Sequence, residues 1–165
     1  MLGLRLTYLL ALAVWLGGAI VLGAAAAPAL FDTLATRLPG AGAAMAGTVF
    51  GAVLERFHLL VLACGGLMLA SLVGRALVGP RPSPYLARLA LIGAMLVLAA
   101  LVKWPLGQAI GHVQGQTAGS VRALPESDPR RVRFERLHGW SNVLMLINAA
   151  GGVVLLLLEA RDLKA

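Results

Sequence analysis

Three histidines are the side chains in this sequence best suited to bind a ligand. They are His58, His112 and His138. Imidazole is a common ligand of transition metals and of haem iron. The order of charged and uncharged segments places all three on one side of a membrane, together with the carboxylates of Asp32, Glu55 and Glu135. A cluster of this kind could hold a divalent metal or a haem.

The spacing of the histidines does not favour that chemistry. They lie far apart in the chain and form neither an HxxxH nor an HExxH motif. The pattern therefore favours interfacial histidines, each hydrogen-bonded to a neighbouring helix. A metal or haem site is the alternative.

A polar stripe follows one face of the last apolar segment. Steps of four and three residues from Phe134 reach His138, Ser141, Met145, Asn148 and Gly152. Such steps stay on one face of a helix. Because an unpaired polar group in hydrocarbon is costly, we predict that these side chains face the other helices.

The first apolar segment offers a matching stripe. Trp15 can donate its indole N–H to Asn148 or Ser141, and Gly18 lets another helix approach closely. We therefore predict a structural polar seam that consists of Trp15, Gly18, Ser141 and Asn148.

Catalytic and nucleic-acid-binding motifs are not evident. The sequence has no P-loop, GxGxxG or GxSxG pattern. Ser141 follows His138 by one helical turn, but a catalytic triad also needs an orienting carboxylate and an oxyanion hole. The net charge is +7, yet the basic residues flank apolar segments and do not alternate with aromatic residues. We expect lipid headgroups as partners, no nucleic acid and no enzymatic activity.

The composition indicates a membrane protein. Hydrophobic residues make up 59% of the 165 positions, charged residues only 13%, and the mean hydropathy is +0.86. The single cysteine, Cys64, lies within an apolar segment. An intrachain disulfide is therefore excluded.

Uncharged segments define the helices that cross the membrane. They cover residues 6–31, 57–74, 89–102 and 137–158, and a spanning helix needs about 20 residues. The third is short, but Lys103 can extend its amine to the interface. We predict an all-α integral membrane four-helix bundle, one domain over residues 1–165, with spans near 6–28, 55–75, 87–107 and 134–158. The first resembles a secretory signal, but its apolar region is too long for one.

Four spans place both termini on one side of the membrane. The loop 75–88 on that side is short, basic and free of acidic residues. Positive loops tend to stay in the cytoplasm. We therefore expect cytoplasmic termini.

Two helices continue beyond the membrane on the other side, over about 41–54 and 108–122. The second extension carries Gly107, Gly111, Gly115 and Gly119 at a spacing of four residues. This spacing predicts a glycine zipper that packs on residues 41–51, with a flexible segment as the alternative. Pro105, just before the zipper, should kink the helix. Beyond the extension, Ser127 or Asp128 can cap the last helix.

Five sequence segments occur in the order found in a known family. They are WLGG, APALFDTL, AGTVFGAVLERFHLL, WPLGQAIGHVQ and FERLHGWSNVLMLIN. Over about residues 8–157 the chain resembles the domain of unknown function 4149 family, which includes transmembrane-protein-205-like proteins. The resemblance implies a small four-helix integral membrane protein in the bacterial or organellar style, without an assigned activity, and we expect it in a bacterial inner membrane. The shared positions would be Trp15, Gly18, Pro28, Phe31, Phe50, Pro105, Phe134, His138 and Ser141.

Two classes of function remain open. The first is a non-catalytic accessory subunit or scaffold, which assembles with itself or with a larger membrane complex. The second is a small binding or transport protein that holds a metal, a haem or a small solute at His58, His112 and His138. A ligand in the purified protein would distinguish them.

Overall fold

The chain folds into four long helices. The computed structural model describes residues 2–117 and 119–162, and within them no strand occurs. The helices are α1 (Leu2–Arg37), α2 (Gly42–Val78), α3 (Tyr85–Gly115) and α4 (Pro129–Arg161), and each is long and apolar enough to cross a membrane. The prediction of an all-α four-helix membrane bundle is confirmed.

The helices pack in chain order around a main core. Helix α1 lies against α2, α2 against α3, α3 against α4, and α4 returns to α1. The core contains large apolar side chains from all four helices, among them Leu12, Trp15, Met68, Leu72, Ile92, Met95 and Leu155. Many other large apolar side chains point outward, which suits a surface that contacts lipid.

Helices α1 and α3 each contain one wider, π-helical turn. These turns cover Leu22–Ala26 and Val102–Leu106. Pro28 follows the first and Pro105 lies inside the second. Because proline has no N–H to donate, the regular hydrogen-bond ladder is interrupted near it, and a π turn is one way in which a helix absorbs such an interruption.

The helix extensions differ from the prediction in length and in number. Helix α3 ends at Gly115, and the chain then forms a 3₁₀ turn at Val121–Ala123. The predicted extension to residue 122 is therefore too long, and its Ala118 lies outside the described residues. Helix α1 also extends on this side. Its segment Ala27–Arg37 is helical and packs against α2.

Helix α4 begins at Pro129 with Asp128 as its N-cap. The Asp128 Oδ1 accepts a hydrogen bond from the Arg130 backbone N–H at 2.8 Å. The Arg130 guanidinium also bonds to this carboxylate and lowers the pKa of Asp128. Of the two predicted caps, Asp128 is the one used.

The predicted glycine zipper is not observed. A Cβ atom added at Gly111 or Gly115 would meet no atom within 4 Å, and one at Gly107 would meet only the Val102 carbonyl of its own helix. Val113, on the opposite face, is buried against Phe134 of α4. The glycine face therefore points outward.

This arrangement predicts that Gly111 tolerates a side chain. Gly111→Ala should raise the free energy of unfolding by up to about 1 kcal/mol, because alanine favours helix. Gly111→Leu should not show the overpacking penalty of about 1–3 kcal/mol. Thermal unfolding in detergent measures both. The control is Gly151→Leu, since a Cβ at Gly151 lies 3.1 Å from the Met95 Cγ. Equal losses for Gly111→Leu and Gly151→Leu would contradict the open glycine face.

Candidate functional site

Charged side chains from all four helices meet at the end of the bundle where α1 begins and α4 ends. Arg5 belongs to α1, Arg75 to α2, Arg88 to α3 and Glu159 to α4. Asp162, just after α4, completes the group, which we call the terminal charge cluster. Arg88 is 0% exposed and Glu159 is 1% exposed. Ionisable groups are rarely buried this fully unless they are paired.

Glu159 is the centre of the cluster. Its Oε1 accepts hydrogen bonds from the Arg75 guanidinium and from the Arg88 Nη1, the latter at 3.0 Å. Its Oε2 lies 3.2 Å from the Arg5 Nη2. One carboxylate of α4 therefore contacts guanidinium groups from the other three helices.

Arg88 connects α3 to the end of α4 through several bonds. Its Nη2 donates to the Asp162 Oδ2 and to the carbonyls of Leu158 and Ser83, each at 2.8 Å. Arg75 also lies near Asp162, with 3.8 Å between the Nη2 and the Oδ2. Because arginine presents its donors in a planar fork, one side chain can bond several acceptors at once.

The cluster is not fully satisfied. In the part of the chain that the structure describes, three guanidinium groups face two carboxylates, a formal surplus of one positive charge. Three buried polar atoms of the cluster have no hydrogen-bond partner among the described residues: the Arg5 Nε, the Arg88 Nε and the Glu159 Oε2. The hydroxyl of Tyr8, one helical turn after Arg5, has none there either. Such atoms are rare in native proteins and call for an explanation.

None of the predicted site residues belongs to this cluster, but the spacing along α4 indicates it. The polar stripe of α4 continues from Gly152 to Leu155 and Glu159 in steps of three and four residues. That continuation places Glu159 on the inward face of α4.

Three residues of the predicted polar seam are buried and Gly18 is half-buried, but the contacts of the seam differ from the prediction. Ser141 and Asn148 are buried. The Asn148 Nδ2 donates to the Met95 carbonyl of α3 at 2.9 Å, and no bond to Trp15 is present among the described residues. The choice of Trp15 as the partner of Asn148 or Ser141 is therefore wrong. Amide groups often bond to free carbonyls across helices.

Gly18 and Trp15 both lie close to α2. A Cβ at Gly18 would lie 2.5 Å from the Cε2 of Phe57, and one at Gly65 would lie 3.0 Å from the Cζ3 of Trp15. The close approach predicted at Gly18 exists. Its partner is α2, whereas the sequence pointed to α4.

The three histidines interact mainly within their own helices. The His58 Nδ1 donates to the Leu54 carbonyl at 2.8 Å, and the His112 Nε2 lies 3.0 Å from the Gln116 Nε2. The His138 ring stacks on Phe134 with 5.7 Å between centroids. The predicted hydrogen bonds to neighbouring helices are not observed among the described residues. In the same residues, no group of three or more His, Cys, Asp or Glu side chains is arranged to hold a metal.

His58 nevertheless borders a cavity inside the bundle. The cavity measures about 30 Å³, and its lining includes Trp15, Phe57, His58, Val102 and Asn148. This volume is close to that of one water molecule. His112 and His138 do not belong to the lining.

Residues 10–119 match the family described as Domain of unknown function (DUF4149). The chain belongs to this family. No curated protein and no solved structure matches the chain.

The DUF4149 match divides the candidate site. It includes Arg75 and Arg88 but ends before α4, so Glu159 lies outside it. The FERLHGWSNVLMLIN segment, part of the resemblance, lies outside it as well. The family description assigns no activity, so the role of the site must be inferred from its geometry.

Proposed function

We propose that this DUF4149 chain is a non-catalytic helical bundle that acts as an accessory subunit or scaffold in a membrane. The terminal charge cluster is the observation that carries the proposal. It joins one charged side chain from each helix at a single buried carboxylate, Glu159. A buried ion pair contributes little net stability compared with apolar packing, and we infer that this one selects a single arrangement of the four helices.

The geometry of Glu159 suits a structural role better than acid–base catalysis. A catalytic carboxylate must reach the proton that it transfers. Glu159 is almost fully buried and lies against three arginines.

Outward faces of small residues support assembly with other membrane helices. A Cβ at Gly47, Gly51, Gly111 or Gly115 would meet no atom within 4 Å. Small residues allow helices in membranes to approach closely. These faces can receive a second copy of the chain or a helix of a larger complex. The basic loop between α2 and α3 supports cytoplasmic termini. We place the chain in a bacterial inner membrane on the family resemblance alone.

The second candidate is a small binding or transport protein. The cavity beside His58 and Asn148 favours it, because both side chains are polar and lie among apolar neighbours. A metal ion or a solute of about the size of water could use the imidazole of His58 as a ligand or as a hydrogen-bond partner, whereas a haem does not fit a cavity of about 30 Å³.

One experiment compares the two candidates. The protein is extracted from its native membrane in a mild detergent, and its size, absorption spectrum and metal content are measured. The scaffold function predicts assemblies larger than the 17.1 kDa chain and neither a Soret band nor a stoichiometric metal. Gly111→Leu with Gly115→Leu should shift the assembly toward the single chain. Gly17→Leu, at another open position, should not. A single chain with a stoichiometric ligand that is lost in His58→Asn would replace the scaffold with the binding protein.

A further inference from the structure

The terminal charge cluster contains more positive charge than its own carboxylates neutralise. Within residues 2–117 and 119–162, Arg5, Arg75 and Arg88 face only Glu159 and Asp162. An uncompensated charge in a poorly hydrated place is costly. The cluster therefore favours one additional negative charge from outside the chain.

The free polar atoms of the cluster are mainly hydrogen-bond donors. The Nε–H groups of Arg5 and Arg88 can only donate, and the hydroxyl of Tyr8 can donate as well. Tyr8 is 0% exposed and has no hydrogen-bond partner among the described residues. Unused donors beside a surplus of positive charge are suited to an anion with several acceptor oxygens.

The cluster also reaches the surface at the level of the lipid headgroups. The side chains of Arg5 and Asp162 are 24% and 22% exposed, while Arg88 and Glu159 lie beneath them. Helix α1 begins at Leu2 and α4 ends at Arg161, so this end of the bundle lies where the apolar spans meet the interface. Arg5 can contact Glu159 and a group from the bilayer at the same time.

We propose that the terminal charge cluster binds the phosphate of an anionic phospholipid, with Arg5 as the contact at the surface. The phosphodiester carries one negative charge, which matches the surplus of the cluster. Its oxygens accept hydrogen bonds from guanidinium groups, and basic pockets between membrane helices bind anionic headgroups. This inference goes beyond the scaffold function, which needs no lipid ligand.

Lipid retention tests the proposal. The protein is exchanged into vesicles that contain phosphatidylglycerol and phosphatidylcholine in equal amounts, released in detergent, and weighed by native mass spectrometry. The wild type should retain one phosphatidylglycerol in preference to phosphatidylcholine. Arg5→Gln should lower this retention at least tenfold. Arg161→Gln, which removes the same charge from an exposed position on the same side, should leave it nearly unchanged.

Two further variants separate binding from folding. Arg5→Lys keeps the charge and should retain part of the preference for phosphatidylglycerol, and Tyr8→Phe should weaken retention while the protein stays folded. If Arg5→Gln does not fold, the lipid retention of these two variants tests the proposal. Equal retention of the two lipids, or equal losses in Arg5→Gln and Arg161→Gln, would overturn the proposal. Thermal stabilisation of the lipid-free protein by inorganic phosphate to the same extent as by phosphatidylglycerol would identify an ion site instead.

Discussion

Replacement of Glu159 by alanine should lower the free energy of unfolding by about 3–5 kcal/mol, the usual cost when one partner of a buried ion pair is removed. The reason is that Arg75 and Arg88 would remain buried beside Arg5 without the carboxylate that they share. Glu159→Gln should also destabilise the bundle, because its amide keeps the shape of the side chain but removes the charge. Thermal and denaturant unfolding in detergent micelles measure both variants.

Glu135→Ala is the matched control for the loss of Glu159. Glu135 lies on the same helix and pairs with Arg131 at 2.9 Å, but its side chain is 53% exposed. An exposed pair one turn apart on a helix contributes at most about 1 kcal/mol. If the losses for Glu159→Ala and Glu135→Ala are equal, the terminal charge cluster does not join the four helices.

Replacement of Gly65 by leucine should destabilise the bundle by about 1–3 kcal/mol through overpacking. Gly65 lies where α2 meets both α1 and α3. A Cβ at this position would collide with Leu96 of α3 and would lie 3.0 Å from the Cζ3 of Trp15 in α1. The two neighbours cannot both move away without disturbing the core. Thermal unfolding in detergent, with helicity followed by circular dichroism, measures the loss.

The adjacent Gly66 provides the control. A Cβ at Gly66 would meet no atom within 4 Å, and this residue faces outward. Gly66→Leu should therefore be neutral or stabilise by up to about 1 kcal/mol, because leucine favours helix more than glycine does. Similar losses at Gly65 and Gly66 would mean that the contact of α2 with α1 and α3 is not as close as described.

In the polar stripe of α4, helical periodicity predicts which side chains are buried but not which partners they bind. Burial of Ser141 and Asn148 follows from the spacing, because residues three and four apart share a face and polar groups avoid lipid. The carbonyl that accepts the hydrogen bond of the Asn148 amide does not follow from the spacing. Met95 lies 53 positions away on α3, and only the packing of the helices decides which carbonyl lies opposite the amide.

The direction of the glycine face likewise depends on packing. The spacing of Gly111 and Gly115 establishes that they share a face of α3, but not which way this face points. Val113 on the other face is buried against Phe134 and turns the glycines outward. A local pattern cannot choose between a zipper and an open face, because both place the same residues in line.

What the sequence by itself determined is the set of four apolar helices, since each span is a local property of about 20 successive residues. The tertiary structure alone decided the terminal charge cluster. Arg5 and Glu159 are 154 positions apart, and each looks, within its own segment, like an ordinary charge at the end of a span. Their pairing becomes visible only when four helices converge, because the partner of a buried charge is set by the packing of distant segments and not by its neighbours in the chain.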